Sequence, residues 1–322
     1  MFNRREFAVR AGVAAVAGLS GPLVQARQAI QLMVGFPAGG GTDVIARLLA
    51  EKLQPLLDET VVVDNRPGAG GQVAAQLLKG ARPDGHTLFL SHDHTISILP
   101  QVVKNAGFEP HTDFINLGGF ASFVNGLAVS PGTPAKTFDE FVAWMRAHPG
   151  RGNIGVPAPA STPEFLVQLL AKRYQLDLVS APYKGSAPMI ADMLGNQIPA
   201  GVGSVQDFIE NVRAGKLNVL AVLGGQRQAA LPDVPTFAEL GFKGLEDMPY
   251  YGIFAPKGTP QAFVNRFTQA LKRVVAMPDV VKTLSDMGLS VGYMSPAELA
   301  RREAAYRKVW SRIIQESGFK PL

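Results

Sequence analysis

The stretch Phe36-Pro37-Ala38-Gly39-Gly40-Gly41-Thr42-Asp43 decides the fold. It follows the apolar run Ile30 to Val34 and leads into Val44-Ile45-Ala46-Arg47-Leu48-Leu49-Ala50-Glu51-Lys52-Leu53. A short continuous apolar run reads as a buried strand. Apolar residues at helical spacing after it read as a helix, with Thr42 or Asp43 placed to cap its start. The unit is strand, glycine loop, helix. Three successive glycines allow a sharp turn and a close approach of backbone to ligand. Unpaired N–H groups at the helix start, with the helix dipole, favour an anion there. A tight turn that holds no ligand is the alternative reading.

Working outward, the same rhythm repeats. Val61 to Val63, Thr87 to Leu90, Gly126 to Val129, Asn153 to Val156, Asp177 to Ser180, Ile198 to Val202, Leu217 to Val222 and Tyr250 to Pro256 read as strands. Helical patterns lie over Gly70–Leu78, Phe138–Arg146, Glu164–Tyr174, Ala187–Leu194 and Val205–Arg213. Strands alternating with helices predict mostly parallel sheets covered by helices, in two blocks. Three helical patterns close the chain. The last opens with Ser295-Pro296-Ala297-Glu298, a capping box with proline at the first helical position.

Residues 1–26 read as a secretory signal. Asn3-Arg4-Arg5-Glu6-Phe7 is a twin-arginine pattern, Ala11 to Leu19 is apolar, and Val24-Gln25-Ala26 fits a small-x-small cleavage site. The general secretory route stays open beside the twin-arginine one. The 322 residues, 47% of them hydrophobic, suit two folded domains. Net charge is +5, of which Arg4, Arg5 and Arg10 against Glu6 supply +2, leaving +3 for the remainder. That mild basic bias suits small anions, and no Lys/Arg block argues for nucleic acid. With no cysteine, disulfides, thiolate chemistry and Cys-ligated metals are excluded. After the leader no apolar run approaches the ~20 residues of a membrane helix.

Several motifs in order carry a family resemblance. They are Phe36-Pro37-x-Gly39-Gly40-x-Thr42-Asp43, Val63-x-Asn65-Arg66-Pro67-Gly68-Ala69-Gly70-Gly71 and Pro83-Asp84-Gly85-x-Thr87-Leu88. Downstream stand Pro182-Tyr183-Lys184-Gly185-Ser186-Ala187-Pro188, Ala214-Gly215-Lys216-Leu217, Leu231-Pro232-Asp233-Val234-Pro235-Thr236 and Ala255-Pro256-Lys257-Gly258-Thr259-Pro260. The chain resembles the Bug family, the solute-binding proteins of tripartite tricarboxylate transporters, over essentially all of its length after the leader. The resemblance implies a periplasmic, non-enzymatic, two-lobed clamp of the type II (Venus flytrap) kind. Each lobe would be a doubly wound parallel-sheet α/β unit, lobe 1 over 27–126 and lobe 2 over 127–251, with 252–322 returning to lobe 1. Crossover hinge strands would lie near Phe123–Val129 and Tyr250–Phe254. It also implies a small organic acid as ligand, integral-membrane transporter subunits as partners, a monomer, and no cofactor or metal.

Carried over, the Pro37–Gly40 loop would hold one carboxylate, and Ser161 and Thr162 another group; these two hydroxyls also read as an N-cap. The candidate ligand contacts are Phe36, Pro37, Ala38, Gly39, Gly40, Thr42 and Asp43, then Ser91, His92 and His94, with Ala160, Ser161, Thr162, Tyr183 and Ser204 from lobe 2. The chain departs from the family at Ser91-His92-Asp93-His94, where a Gly-Thr-x-Gly-Thr-His pattern is common. His92 or His94 donating to the ligand, loop histidines facing water, and a metal site are the readings of that loop. Gly203-Ser204 stands where an acid often suits a ligand amino group, so no amino group is expected to be required. Tyr250-Tyr251 replaces a common tryptophan. The competing function is a periplasmic metal-dependent hydrolase using His92, Asp93 and His94, against which stand the absent G-x-S-x-G and H-E-x-x-H motifs. A receptor that also feeds a sensor kinase is a further alternative.

Overall fold

The structure, a computed structural model, describes residues 28–322. The leader expected over 1–26 lies outside them. The first half-lobe runs β1 (Ile30–Val34), α1 (Gly41–Leu57), β2 (Val61–Asn65), α2 (Gln72–Lys79), β3 (Thr87–His92), α3 (Leu99–Val102), α4 (Pro110–Asp113) and β4 (Phe114–Ser122). The second lobe follows as β5 (Asn125–Val129), α5 (Phe138–Ala147), β6 (Asn153–Val156), α6 (Thr162–Tyr174), β7 (Val179–Pro182), α7 (Ser186–Leu194), β8 (Ala200–Ser204), α8 (Val205–Arg213) and β9 (Asn218–Val222). The chain ends with β10 (Tyr250–Pro256), α9 (Gln261–Val275), α10 (Pro278–Asp286), β11 (Ser290–Met294) and α11 (Pro296–Ser317).

Two sheets form. The first has the order β11-β4-β10-β3-β1-β2 and the second β7-β6-β8-β5-β9. Each is covered on both faces. One face of the first sheet packs Ile45, Leu49 and Leu53 of α1 with Phe267 and Leu271 of α9 and Leu284 of α10. Its other face packs Ala75 and Leu78 of α2 with Leu299, Tyr306 and Trp310 of α11. The second sheet lies between Phe141 of α5 with Leu166 and Leu170 of α6, and Met189 and Met193 of α7 with Phe208 of α8. Each such fully buried apolar side chain contributes roughly 1.5–3 kcal/mol.

The expected two-lobed α/β architecture is what the chain adopts, but the sheets are mixed rather than mostly parallel. β1 pairs in parallel with β2 and β3, as β6 does with β7 and β8. β10 runs antiparallel to β3 and β4, and β5 antiparallel to β8 and β9. The reason is direction of entry: a strand arriving from the other lobe enters its sheet from the opposite end. Two strands escape a reading from periodicity. β4 carries Gly118-Gly119 at a bulge where its register against β10 shifts, which breaks the alternation of side chains. β11 is short and only half-buried at a sheet edge.

The capping box expected at α11 is formed in both directions: Glu298 N–H donates to Ser295 Oγ, and Ser295 N–H to Glu298 Oε2. Ser295→Ala is expected to lower the free energy of unfolding by about 1 kcal/mol in urea titrations. An unchanged midpoint would show that packing of Leu299 and Trp310 alone sets the start of the helix.

Candidate functional site

Beyond the C-terminal ends of β1, β3, β6 and β8, between the sheets, lies a cavity of about 590 Å³ of empty space, its open mouth included. In open α/β sheets this is where ligands bind. Phe36, Pro37, Gly40, Gly41 and Thr42 line it after β1, and His92, Asp93 and His94 after β3. Phe123, Asn125 and Tyr251 come from the crossovers. Pro157, Ala158, Ser161, Thr162 and Pro163 follow β6, Ser186 and Ala187 open α7, and Ser204 and Asp207 belong to the β8–α8 junction. Among the described residues, no lysine or arginine lines the cavity.

The glycine loop is shaped from behind. Asp43 Oδ2 accepts both the Gly39 N–H at 3.0 Å and Arg47 Nε–H at 3.0 Å. Burial raises the Asp43 carboxyl, but the Arg47 and Gly39 bonds outweigh burial and hold it below the usual carboxylate range. Asn65 Nδ2 donates to the Phe36 carbonyl at 3.1 Å. Gly39 sits at φ +84°, a left-handed conformation that favours glycine. Asp43 is therefore a positioning residue whose charge is spent on the loop.

The residues of the His92–Asp93–His94 loop diverge. His92 stacks on Phe36 with centroids 4.9 Å apart and meets Phe123 and Tyr251 edge-on. Asp93, 2% exposed, accepts from Tyr306 Oη at 2.8 Å and lies 3.3 Å from His92 Nδ1. His94 opens a π-helical turn, His94–Ile98, and is 5% exposed. Its Nε2 lies against Gly70, where a Cβ would come within 2.4 Å. Neither His94 ring nitrogen has a hydrogen-bond partner. Burial, and next the neighbouring His92, push its pKa down to about 4 against an opposing pull from Asp93. His94 is thus a neutral imidazole at neutral pH, and the three side chains do not converge on a common point.

Across the cleft, Ser161 occupies the N-cap position of α6 without capping it. Its Oγ donates to the Ala158 carbonyl at 2.7 Å instead, while Glu164 accepts the Ala160 N–H. Tyr251 ties the lobes together: its Oη meets Thr42 Oγ1 at 3.2 Å and receives Gln206 Nε2–H at 2.8 Å.

The central contact was not legible in sequence. Asp207, in the first turn of α8, reaches across the cleft and accepts the Gly41 N–H at 2.7 Å on Oδ1. Its Oδ2 accepts Ser186 Oγ–H at 2.6 Å. Desolvation pushes its carboxyl up, against the pull of the Ser186 and Gly41 bonds and of His92. Gly41 begins α1 and Ser186 begins α7, so two helix N-termini, one from each lobe, meet on one carboxylate.

Of the residues expected to face a ligand, Phe36, Pro37, Gly40, Thr42, His92, His94, Ser161, Thr162 and Ser204 line the cavity. Ala38 and Gly39 lie exposed on its rim. Ser91 and Ala160 are buried in the walls behind it. Tyr183 lies in a separate groove with Gly68, Ala69 and Gly70, its Oη donating to Asp192 at 2.7 Å. Sequence reading missed, among others, Gly41, Phe123, Asn125, Ser186, Asp207 and Tyr251 as lining residues. Asp207 is three residues beyond a strand end, in the first turn of an amphipathic helix, which is the only sign it gives.

The family model described as "Tripartite tricarboxylate transporter family receptor" matches residues 45–319. The chain is 32% identical to the UPF0065 protein of the gbd 5′ region of Cupriavidus necator, over 98% of each chain. Among solved structures it is similar to the periplasmic binding protein BugD, with TM-score 0.86 and 29% identity over 91% of this chain and 99% of that one. An R. palustris protein solved with adipate gives TM-score 0.87 and 28% identity over 92% and 100%. No described helix is long and apolar enough to cross a membrane.

The depressed pKa of His94 has a consequence for stability. The unfolded chain protonates this residue near 6.5, whereas the folded one resists down to about 4. Between these values the unfolded state binds more protons, so stability falls as pH falls through that window. Glu303, which burial pushes up to about 7, acts in the opposite sense: its contribution is present at low pH and lost as pH rises toward 7. Comparing wild type with His94→Gln cancels the Glu303 part. The stability difference is expected to move against wild type on acidification by up to about 1.4 kcal/mol per pH unit. Urea titrations from neutral pH down to about pH 4 check it, and parallel curves for the two proteins would contradict a neutral buried His94.

Proposed function

Because this chain belongs to the family of tripartite tricarboxylate transporter receptors, we propose that it is a periplasmic receptor that closes its cleft on a small organic acid and presents it to the membrane subunits of such a transporter. It is a binding protein and not an enzyme. It works as a monomer and needs no cofactor or metal.

One observation carries the ligand class. A carboxylate already sits where the lobes meet, held by the Gly41 N–H and the Ser186 hydroxyl. The surroundings can seat an anion by neutral donors at helix starts. They do so without a guanidinium or ammonium in the wall. The cavity also offers hydroxyls, from Thr42, Ser161, Thr162 and Ser204. Phe36, Phe123, Pro157, Ala158 and Pro163 supply an apolar lining. That combination suits an acid with a hydrocarbon body and one carboxylate at the glycine loop. The adipate-bound relative supports a carboxylate ligand. Gly203-Ser204 puts no acid at the end of β8, which fits a ligand with no required amino group. His92, stacked on Phe36, reads the apolar or aromatic part of the ligand.

A thermal-shift panel of mono-, di- and tricarboxylates, aromatic acids and amino acids tests the reading. At a hundredfold excess over Kd a ligand adds about 2.7 kcal/mol to stability, a shift of a few degrees. A carboxylate is expected to give that shift and the amino acids no larger one. Gly40→Val is expected to melt near wild type and to lose the shift. Its backbone, at φ −81° and ψ 166°, accepts any residue, and the nearest atom to a new Cβ is 3.6 Å away. A panel in which no carboxylate shifts the wild type, or in which Gly40→Val keeps the full shift, would refute the reading.

A further inference from the structure

Asp207 lies on α8 of the second lobe, while Gly41 opens α1 of the first. The 2.7 Å bond between them crosses the cleft. The approach is close: a Cβ on Gly41 would stand 2.4 Å from Asp207 Oδ1 and 2.9 Å from Gln206 Cγ, so any other residue there pushes these side chains aside. The other oxygen is held within its own lobe by Ser186. Opening the cleft therefore breaks the Gly41 bond and leaves the Ser186 bond intact. Gly41 and Asp207 meet directly across the cleft. The donor that an acid would use at the start of α1 is taken by a carboxylate of the chain itself. The same cavity keeps polar capacity unmet elsewhere, since both ring nitrogens of His94, 5% exposed in its wall, lack partners.

We propose that Asp207 is the residue that sets the affinity and charge preference of this receptor, because its carboxylate occupies the seat of the ligand's carboxylate and must be displaced from Gly41 by it. The inference rests on the acid-receptor reading above and adds a competitor to it. Two carboxylates cannot share one N–H, and each disfavours the charge of the other at short range. Every acid that binds must therefore outcompete Asp207 before the cleft closes on it. The resident carboxylate also keeps weakly bound acids out. A monocarboxylate that offers nothing beyond this one bond gains little by the exchange. An acid that in addition fills the apolar wall or reaches Ser161 and Thr162 gains the difference. Desolvation of the Asp207 carboxyl, which pushes it up, makes the resident easier to expel than a solvated one. By linkage, a state in which the seat is already filled lowers the apparent affinity by the fraction of molecules that remain competent.

The consequence runs against the usual effect of deleting a binding-site residue. Asp207→Ala frees the Gly41 N–H and the Ser186 hydroxyl together. Calorimetry at neutral pH uses acetate, benzoate, malate and adipate as probes, with adipamide as the uncharged control. Asp207→Ala is expected to bind the best of these acids roughly ten- to hundredfold more tightly than wild type, the scale of one or two charge-assisted hydrogen bonds. Asp207→Asn, which keeps an acceptor for Gly41 but loses the charge, is expected to fall between the two and covers the case in which the alanine variant folds poorly. Adipamide, which meets the occupied donor but not the like-charge repulsion, is expected to gain less than the acids do. Small-angle scattering of the ligand-free proteins is expected to find Asp207→Ala more open than wild type and closed again by the acid. If wild type binds an acid and the folded variants bind it no tighter, or more weakly, the competitor is refuted while the acid-receptor reading stands. If neither wild type nor variants bind any of the four acids, both fall. An acid that binds only the variants supports the competitor.

Discussion

The chain leaves its first sheet at Phe123 and re-enters it at Tyr250, and the Phe123 N–H bond to the Pro249 carbonyl, at 3.1 Å, holds the two crossings side by side. Everything in the cleft follows from that one place of passage. The crossing strands enter antiparallel to β3 and β8, their neighbours in the two sheets. This leaves the C-terminal ends of the parallel strands facing each other across the gap. The loops after β1, β3, β6, β7 and β8 then meet in the middle. The residues that form the back of the cavity, Phe123, Asn125 and Tyr251, are those of the crossings themselves. Tyr251 carries the constraint into the site, because its hydroxyl holds Thr42 of one lobe and Gln206 of the other.

Electrostatics in the cavity rest on partial charges. Its ionisable residues with side chains in the wall are His92, Asp93, His94, Asp207 and Tyr251, the last kept a neutral phenol by burial. His94 is neutral by burial, and Asp93 is bound to Tyr306 and adjoins His92. Asp43, just outside, has its charge absorbed by Arg47 and the Gly39 N–H. The helix starts that reach the wall are those of α1, α6, α7 and α8. A charge at a helix N-terminus gains typically 0.3–1 kcal/mol and up to about 2 in part-buried geometry, and a hydrogen bond to a charged group about 1.5–3 kcal/mol. These sums are modest.

The strand–loop–helix at 30–57 was legible because its apolar run, glycines and helical spacing are local. So were the capping box at Ser295 and Glu298 and the alternation that gives two α/β lobes. The mixed character of the sheets was not legible, because strand direction at a crossing depends on which lobe the chain comes from. The sequence Ser91-His92-Asp93-His94 looks like a polar exposed loop, yet His94 is buried. The room for it is made by Gly70, distant in sequence, whose missing Cβ accommodates the ring. Tyr183 follows a strand as expected of a cleft residue, but Asp192, nine residues on, captures its hydroxyl. Asp207 reads locally as an acid in the first turn of a helix, a common place for one. Its partner Gly41 is 166 residues away, and no local pattern reports such a pairing.

The most direct measurement is a crystal structure of the wild-type protein with a bound carboxylate taken from the thermal-shift panel. A ligand carboxylate oxygen is expected about 3 Å from the Gly41 nitrogen, with Asp207 withdrawn from it while keeping Ser186. A complex with the acid seated elsewhere in the cleft and the Gly41–Asp207 bond intact would contradict it.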